Sequence, residues 1–147
     1  MTFATKRLSK ELLEIKNNNI EGFNIINTEN IFDWQVSIDG PNESAFEKGK
    51  FILKISFDEK YPIKAPSVRF ITNMFHPNIY KDGKICVDIL QNEWSPTQNV
   101  STILQSIRSL LMDPNPSSPA NREAANLFNK DKELYYNRVK ELINLVH

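Results

Sequence analysis

Cysteine is nearly absent: Cys86 stands alone, accompanied by only two histidines, His76 and His147. One cysteine cannot close an internal disulfide, and one thiol with two imidazoles falls short of a structural zinc ligand set. No apolar run approaches the ~18 residues of a membrane span, so no membrane partner is expected. There is no glycine-rich phosphate loop. Charge of one sign is also missing, because Lys plus Arg and Asp plus Glu both number 18. No basic field is left to hold nucleic acid directly by counterion release, and a protein partner is the better expectation. The opening MTFATKRLSKELLEIK mixes acidic with basic residues and has no apolar core before a small-residue cleavage site. It reads as neither secretory signal nor transit peptide. A reducing compartment, cytoplasm and nucleus, is the localisation expected.

What is present suits one folded unit. A chain of 147 residues buries roughly two-thirds of its unfolded surface, and residues 1–147 are expected to form a single domain. Over residues 5–16, Leu8, Leu12 and Ile15 recur at helical spacing, with Lys6, Arg7 and Lys10 largely off that stripe. Those cations read as a solvated face or as a partner dock. Asn17, Asn18, Asn19 and Gly22 end the helix, and a short strand is expected near residues 23–26. Phe32, Trp34, Val36 and Ile38 then alternate with polar residues, as do Phe51, Leu53, Ile55 and Phe57 after the turn Asp39-Gly40-Pro41. Val68 and Phe70 suggest a shorter fourth strand, giving an antiparallel meander.

Tyr61-Pro62 and Ala65-Pro66 interrupt the meander as a rigid loop that exposes Ile63. Trp94-Ser95-Pro96 marks another loop. Ile103, Leu104, Ile107, Leu110 and Leu111 predict a central buried helix, stopped by Asp113-Pro114-Asn115-Pro116. A short helix over residues 121–128 follows. The last helix carries Leu134, Tyr135, Arg138, Val139, Leu142, Ile143 and Val146 at helical spacing, with Asp131 as its cap. Helix, strands, an irregular segment, then helices is the pattern of an α+β domain.

The irregular segment, HPNIYKDGKICVDIL over residues 76–90, holds the chemistry. Cys86 could be a buried small hydrophobe among Ile85, Val87, Ile89 and Leu90. A cysteine hydrolase needs an imidazole base, which only His76 or His147 supplies, and His76 is tied into a fixed loop by Pro77. Nothing resembles a nucleophile elbow. The third reading is a carrier thiol, which exchanges one thioester for another and hands the acyl group to an amine. Asp88 would favour an incoming lysine that loses its proton on attack. An amide such as Asn78 can donate to the oxyanion, or pin its own loop as asparagines in turns do. Both readings of Asn78 stay open.

His76-Pro77-Asn78, Gly83, Ile85-Cys86-Val87-Asp88-Ile89-Leu90, Trp94-Ser95-Pro96 and Asp113-Pro114-Asn115-Pro116, with Gly40-Pro41 and Tyr61-Pro62, together resemble the ubiquitin-conjugating enzymes over essentially the whole chain. The resemblance implies their fold: an N-terminal helix, a four-stranded antiparallel meander, the active-site segment, then three helices. It implies that Cys86 takes ubiquitin from the activating enzyme as a thioester and passes it to a substrate lysine, with a RING- or HECT-type ligase. Asn78 would stabilise the oxyanion or its loop and Asp88 would deprotonate or orient the lysine. His76, Pro77 and Ser118 would build and gate the site. Lys6, Arg7, Lys10, Ile63, Ser95 and Pro96 match the surface for ligase and activating enzyme.

No bound cofactor or metal is implied, because ATP and magnesium serve the upstream activating enzyme. The runners-up are conjugation of another ubiquitin-like modifier and a non-catalytic ubiquitin-binding variant of the fold. The run Leu90-Gln91-Asn92 with Ser117-Ser118-Pro119-Ala120-Asn121 is similar to the histone- and replication-clamp-modifying branch, whereas KRLSKELLEI is similar to the general-purpose branch. Ser118 stands where many members have a second carboxylate, and Ser118-Pro119 could be a site for a proline-directed kinase. Ile63 replaces an aromatic residue common in ligase-responsive members. Phe23 replaces a small residue on the sheet's rear face, which weakens the expected non-covalent binding of a second ubiquitin there.

Overall fold

The computed structural model describes residues 2–18 and 20–146. Asn19, His147 and the side chain of Val146 lie outside the described residues. The elements run α1 (Phe3–Asn18), β1 (Phe23–Asn30), β2 (Asp33–Asp39), β3 (Lys50–Ser56), β4 (Ser67–Phe70), a 3-10 turn (Asp88–Leu90), α2 (Val100–Met112), α3 (Arg122–Lys130) and α4 (Lys132–Val146). The strands pair antiparallel in the order β1-β2-β3-β4. This is the α+β architecture expected from the sequence.

The strict alternation in β2 and β3 has a direct cause. Trp34, Val36 and Ile38 are paired with Ile55, Leu53 and Phe51, and all six are buried. Each apolar pair on one face contributes roughly 0.2–1 kcal/mol beyond alanine, so a slip of one residue would turn the whole set to solvent. On the inner side, α2 buries Val100, Ile103, Leu104, Ile107 and Leu111, and α1 buries Ala4, Leu8 and Ile15. An Asn99–Thr102 capping box starts α2.

Four details differ from the sequence expectation. β1 runs to Asn30 and has register irregularities between Ile25 and Asn27 and between Asn27 and Asn30. Such bulges suit an edge strand, and they erase the period-two signal. Phe32 precedes β2 and is only half-buried. Leu134 is exposed, because α4 turns Tyr135, Val139 and Ile143 inward. Glu11, a charge on the apolar stripe of α1, is buried.

The opposite edge of the sheet positions the segment of interest. Phe70 N–H donates to Gly83 O at 2.9 Å, and a Cβ at Gly83 would meet Phe70 O at 2.0 Å. Gly83 also has φ +93°, so only glycine fits. The chain before Cys86 is thereby fastened to β4.

Candidate active site

Residues 76–86 form a tight hairpin. Ile79 bridges Ile85, Gly83 N–H donates to Tyr80 O at 2.9 Å, and Cys86 N–H donates to Asn78 O at 2.9 Å. Cys86 therefore sits directly across from Asn78. Its residue is half-buried, between buried Ile85 and half-buried Val87, so it is neither core filler nor freely projecting.

His76 is fully buried. Its Nε2 pairs with Leu110 O at 2.7 Å and its Nδ1 accepts Asn78 N–H at 2.9 Å. That arrangement requires a neutral ring protonated on Nε2. Burial pushes its pKa down to about 4, opposed by the bond to Leu110. With both nitrogens committed, His76 has no lone pair to offer the thiol.

Asn78 is also buried. Its Nδ2 donates to Asn115 O at 2.7 Å and Ser118 O at 3.1 Å, and its Oδ1 accepts Asn115 N–H at 2.8 Å. Both amide hydrogens are spent on the loop after α2, so here Asn78 does the pinning, and neither hydrogen is free for an oxyanion. Pro77 O accepts from Ala120 N–H at 2.7 Å and Asn121 N–H at 3.0 Å. The loop carrying exposed Ser118 is thus stitched beside the Cys86 hairpin. Asp88 is exposed at the start of the 3-10 turn. Its backbone O accepts from Gln91 and Glu93, and among the described residues no hydrogen bond or ion pair ties down its carboxylate.

The expected partner surface is assembled from three segments. Lys6 and Lys10 on α1 are exposed, Ile63 is 75% exposed, and Pro96 is exposed beside half-buried Ser95. Ser95 and Thr97 hydroxyls pair at 2.7 Å. Arg7 is half-buried among the same segments: its Nε donates to Glu11 at 2.9 Å, and Nη2 donates to Pro96 O at 3.1 Å and Gln98 O at 2.8 Å. Arg7 turns inward because Glu11, one helical turn on, supplies a buried acceptor. Sequence reasoning passed over Glu11, whose signal was a charge between Leu8 and Ile15 on the buried stripe. Among the described residues no group of three or more His, Cys, Asp or Glu could hold a metal ion.

The ubiquitin-conjugating enzyme family model matches residues 7–143. The chain is 56% identical over 115 residues to "Ubiquitin-conjugating enzyme E2 2" of Candida albicans, a match covering 78% of this chain and 64% of that protein. It is 47% identical over 143 residues to the protein of the same name from Kluyveromyces lactis, covering 97% of this chain and 87% of that one. It is also 47% identical over 143 residues to "Ubiquitin-conjugating enzyme E2 1" of Caenorhabditis elegans, covering 97% and 74%. The chain thus spans just under two-thirds of the Candida albicans protein and more of the other two.

Proposed function

Because this chain belongs to the ubiquitin-conjugating enzymes, a transferase family acting through a cysteine thioester, we propose that Cys86 carries ubiquitin between the activating enzyme and a substrate lysine. The Cys86 sulfur attacks the thioester carbonyl on the activating enzyme, forms the new C–S bond and expels that enzyme's thiol. A lysine Nζ then attacks the carried carbonyl, the tetrahedral oxyanion collapses, and Cys86 leaves as the amide forms. The untethered Asp88 carboxylate orients the lysine ammonium and takes its proton. Asn78 is a positioning residue that holds the 115–118 loop beside Cys86.

The observation that carries this reading is the company Cys86 keeps. The histidine on its hairpin is bound at both nitrogens, whereas a free carboxylate stands two residues away. An acid without an imidazole base suits transfer to an amine better than hydrolysis by water. ATP and magnesium act on the activating enzyme. RING- or HECT-type ligases and protein substrates are the further partners, met in the cytoplasm and nucleus.

Incubation with activating enzyme, ubiquitin and magnesium-ATP should give an adduct on Cys86 that dithiothreitol removes. Cys86→Ser should give an adduct that resists it. No adduct in the wild-type chain defeats the proposal. Charging with a different ubiquitin-like modifier in place of ubiquitin would redirect it to that modifier.

A further inference from the structure

Among the described residues, Glu11 is the one buried acidic side chain, and it bonds within its own helix and to two other segments. Oε1 accepts Val100 N–H at 2.8 Å, the first amide of α2. Oε2 accepts Arg7 Nε–H at 2.9 Å and Tyr61 O–H at 2.5 Å. Arg7 reaches on to Pro96 O and Gln98 O, with its guanidinium 5.8 Å from the Tyr61 ring centre. Trp94 Nε1–H closes the circuit on Pro62 O at 2.9 Å. Besides the start of α2, each segment in the circuit carries part of the expected partner surface: α1 bears Lys6 and Lys10, the 61–64 loop bears Ile63, and the 95–98 loop bears Ser95 and Pro96.

Packing alone would seat α1 on the core, and burying a carboxylate with a guanidinium costs desolvation that apolar side chains avoid. What apolar contacts do not provide is a fixed register between loops that have no ladder bonds of their own. We infer that Glu11 is a positioning residue for partner docking, holding α1, the 61–64 loop and the 95–98 loop in the one arrangement that the activating enzyme and the ligase meet together. This rests on the transferase reading of Cys86.

The carboxylate is specifically required. Its two oxygens accept from N–H groups on opposite sides, Val100 on one and Arg7 on the other. A glutamine places its NH2 against one of those donors whichever way it is turned.

Steady-state charging and single-turnover discharge of the full chain test the inference. Glu11→Gln should raise the KM for activating enzyme about tenfold with kcat unchanged, the equivalent of one charge-assisted bond lost. Discharge of preformed thioester to free lysine without ligase should match wild type. RING-stimulated discharge should fall about tenfold at low ligase and recover at high ligase. Tyr61→Phe, which deletes the O–H donated to Glu11 Oε2 and leaves the Arg7–Glu11 pair in place, should shift both partner responses in the same direction by about threefold. Val139→Ala, a core truncation in α4, should lower the unfolding midpoint and leave both partner responses alone.

A Glu11→Gln chain with an unaltered KM and ligase response overturns the inference. So does equal loss of ligase-free lysine discharge, which would make Glu11 a general structural residue. If Glu11→Gln does not fold, the same measurements on Tyr61→Phe decide in its place. A wild-type chain that never charges would defeat the transferase reading itself, a result distinct from a charging wild type beside an indifferent variant.

Discussion

Two buried polar networks, one at each end of α2, solve different problems with different chemistry. At the N-terminal end a charged group, Glu11, accepts from side chains and from Val100 N–H. At the active-site end two neutral side chains, His76 and Asn78, bond almost wholly to backbone, including Leu110 O near the C-terminus of α2. The charged network joins α1 to two loops that have no strand pairing of their own, the loops proposed above to meet partners. The neutral one fixes backbone around Cys86 without adding charge there, so the electrostatic character near the thiol is left to exposed Asp88. One helix is tied at both ends, and only the N-terminal end is ionic.

The largest break in that comparison comes from His76→Ala. It orphans Leu110 O and Asn78 N–H in a buried site and leaves a cavity, together about 4 kcal/mol of stability. Glu11→Gln, which spoils one of the three bonds Glu11 accepts, costs about 2 kcal/mol. Urea unfolding of both variants checks the order, and a smaller loss for His76→Ala would mean water fills the neutral site readily.

Acid and alkali should separate the ends next. The folded His76 pKa is about 4 against an ordinary 6.5. Between those values the unfolded chain binds a proton that the folded chain does not. Stability is therefore full above pH 6.5 and falls as pH drops to 4, on the order of 3 kcal/mol in all. Asp58, held below its ordinary value by the Lys60 N–H and by Lys64, adds its loss only in stronger acid. At the other end, burial and the bond to Glu11 raise the Tyr61 phenol above its ordinary 10. The folded chain then keeps a proton that the unfolded chain releases, so stability declines above pH 10, with Tyr135 raised by burial adding to it. Urea midpoints from pH 4 to 11 in wild type, His76→Ala and Tyr61→Phe check both arms. An acid slope that survives in His76→Ala belongs to other groups.

Asn78→Ser removes the two donors that hold Asn115 O and Ser118 O. Charging should stay within about twofold of wild type while discharge to lysine slows roughly a hundredfold, about 2.7 kcal/mol, because the 115–118 loop is no longer held in place beside Cys86. Failure to charge would instead make Asn78 a support of the Cys86 hairpin alone. Single-turnover assays distinguish the two.

Most of the scaffold was legible because its causes are local. Trp34 to Ile38 and Phe51 to Ile55 announce strands, since each has one wet and one dry face. Asp113-Pro114 announces a helix stop, because proline restricts its neighbour and lacks a donor. His76 could be judged a loop residue from Pro77 alone. The networks were less legible, because they join residues far apart in sequence. Nothing near Arg7 points to Pro96, 89 positions on, or brings Asn78 to Ser118. β1 hid its length behind bulges, and the 3-10 turn at Asp88 is too short to show a period.

The smallest expected effect tests whether the neutral end tolerates added charge. The Ser118 residue is exposed and its backbone O is what the structure uses, accepting from Asn78 Nδ2 at 3.1 Å. Ser118→Asp should therefore leave folding within about 0.5 kcal/mol. A carboxylate there adds a second negative charge for an approaching lysine ammonium, screened by water at an exposed position. Discharge to free lysine should rise about threefold, equivalent to about 0.6 kcal/mol, and the gain should shrink in high salt. Phosphate on Ser118 would act in the same direction with more charge. An unchanged discharge rate would mean that Asp88 supplies all the charge the reaction uses, and that the neutral frame around Cys86 is indifferent to what stands at Ser118.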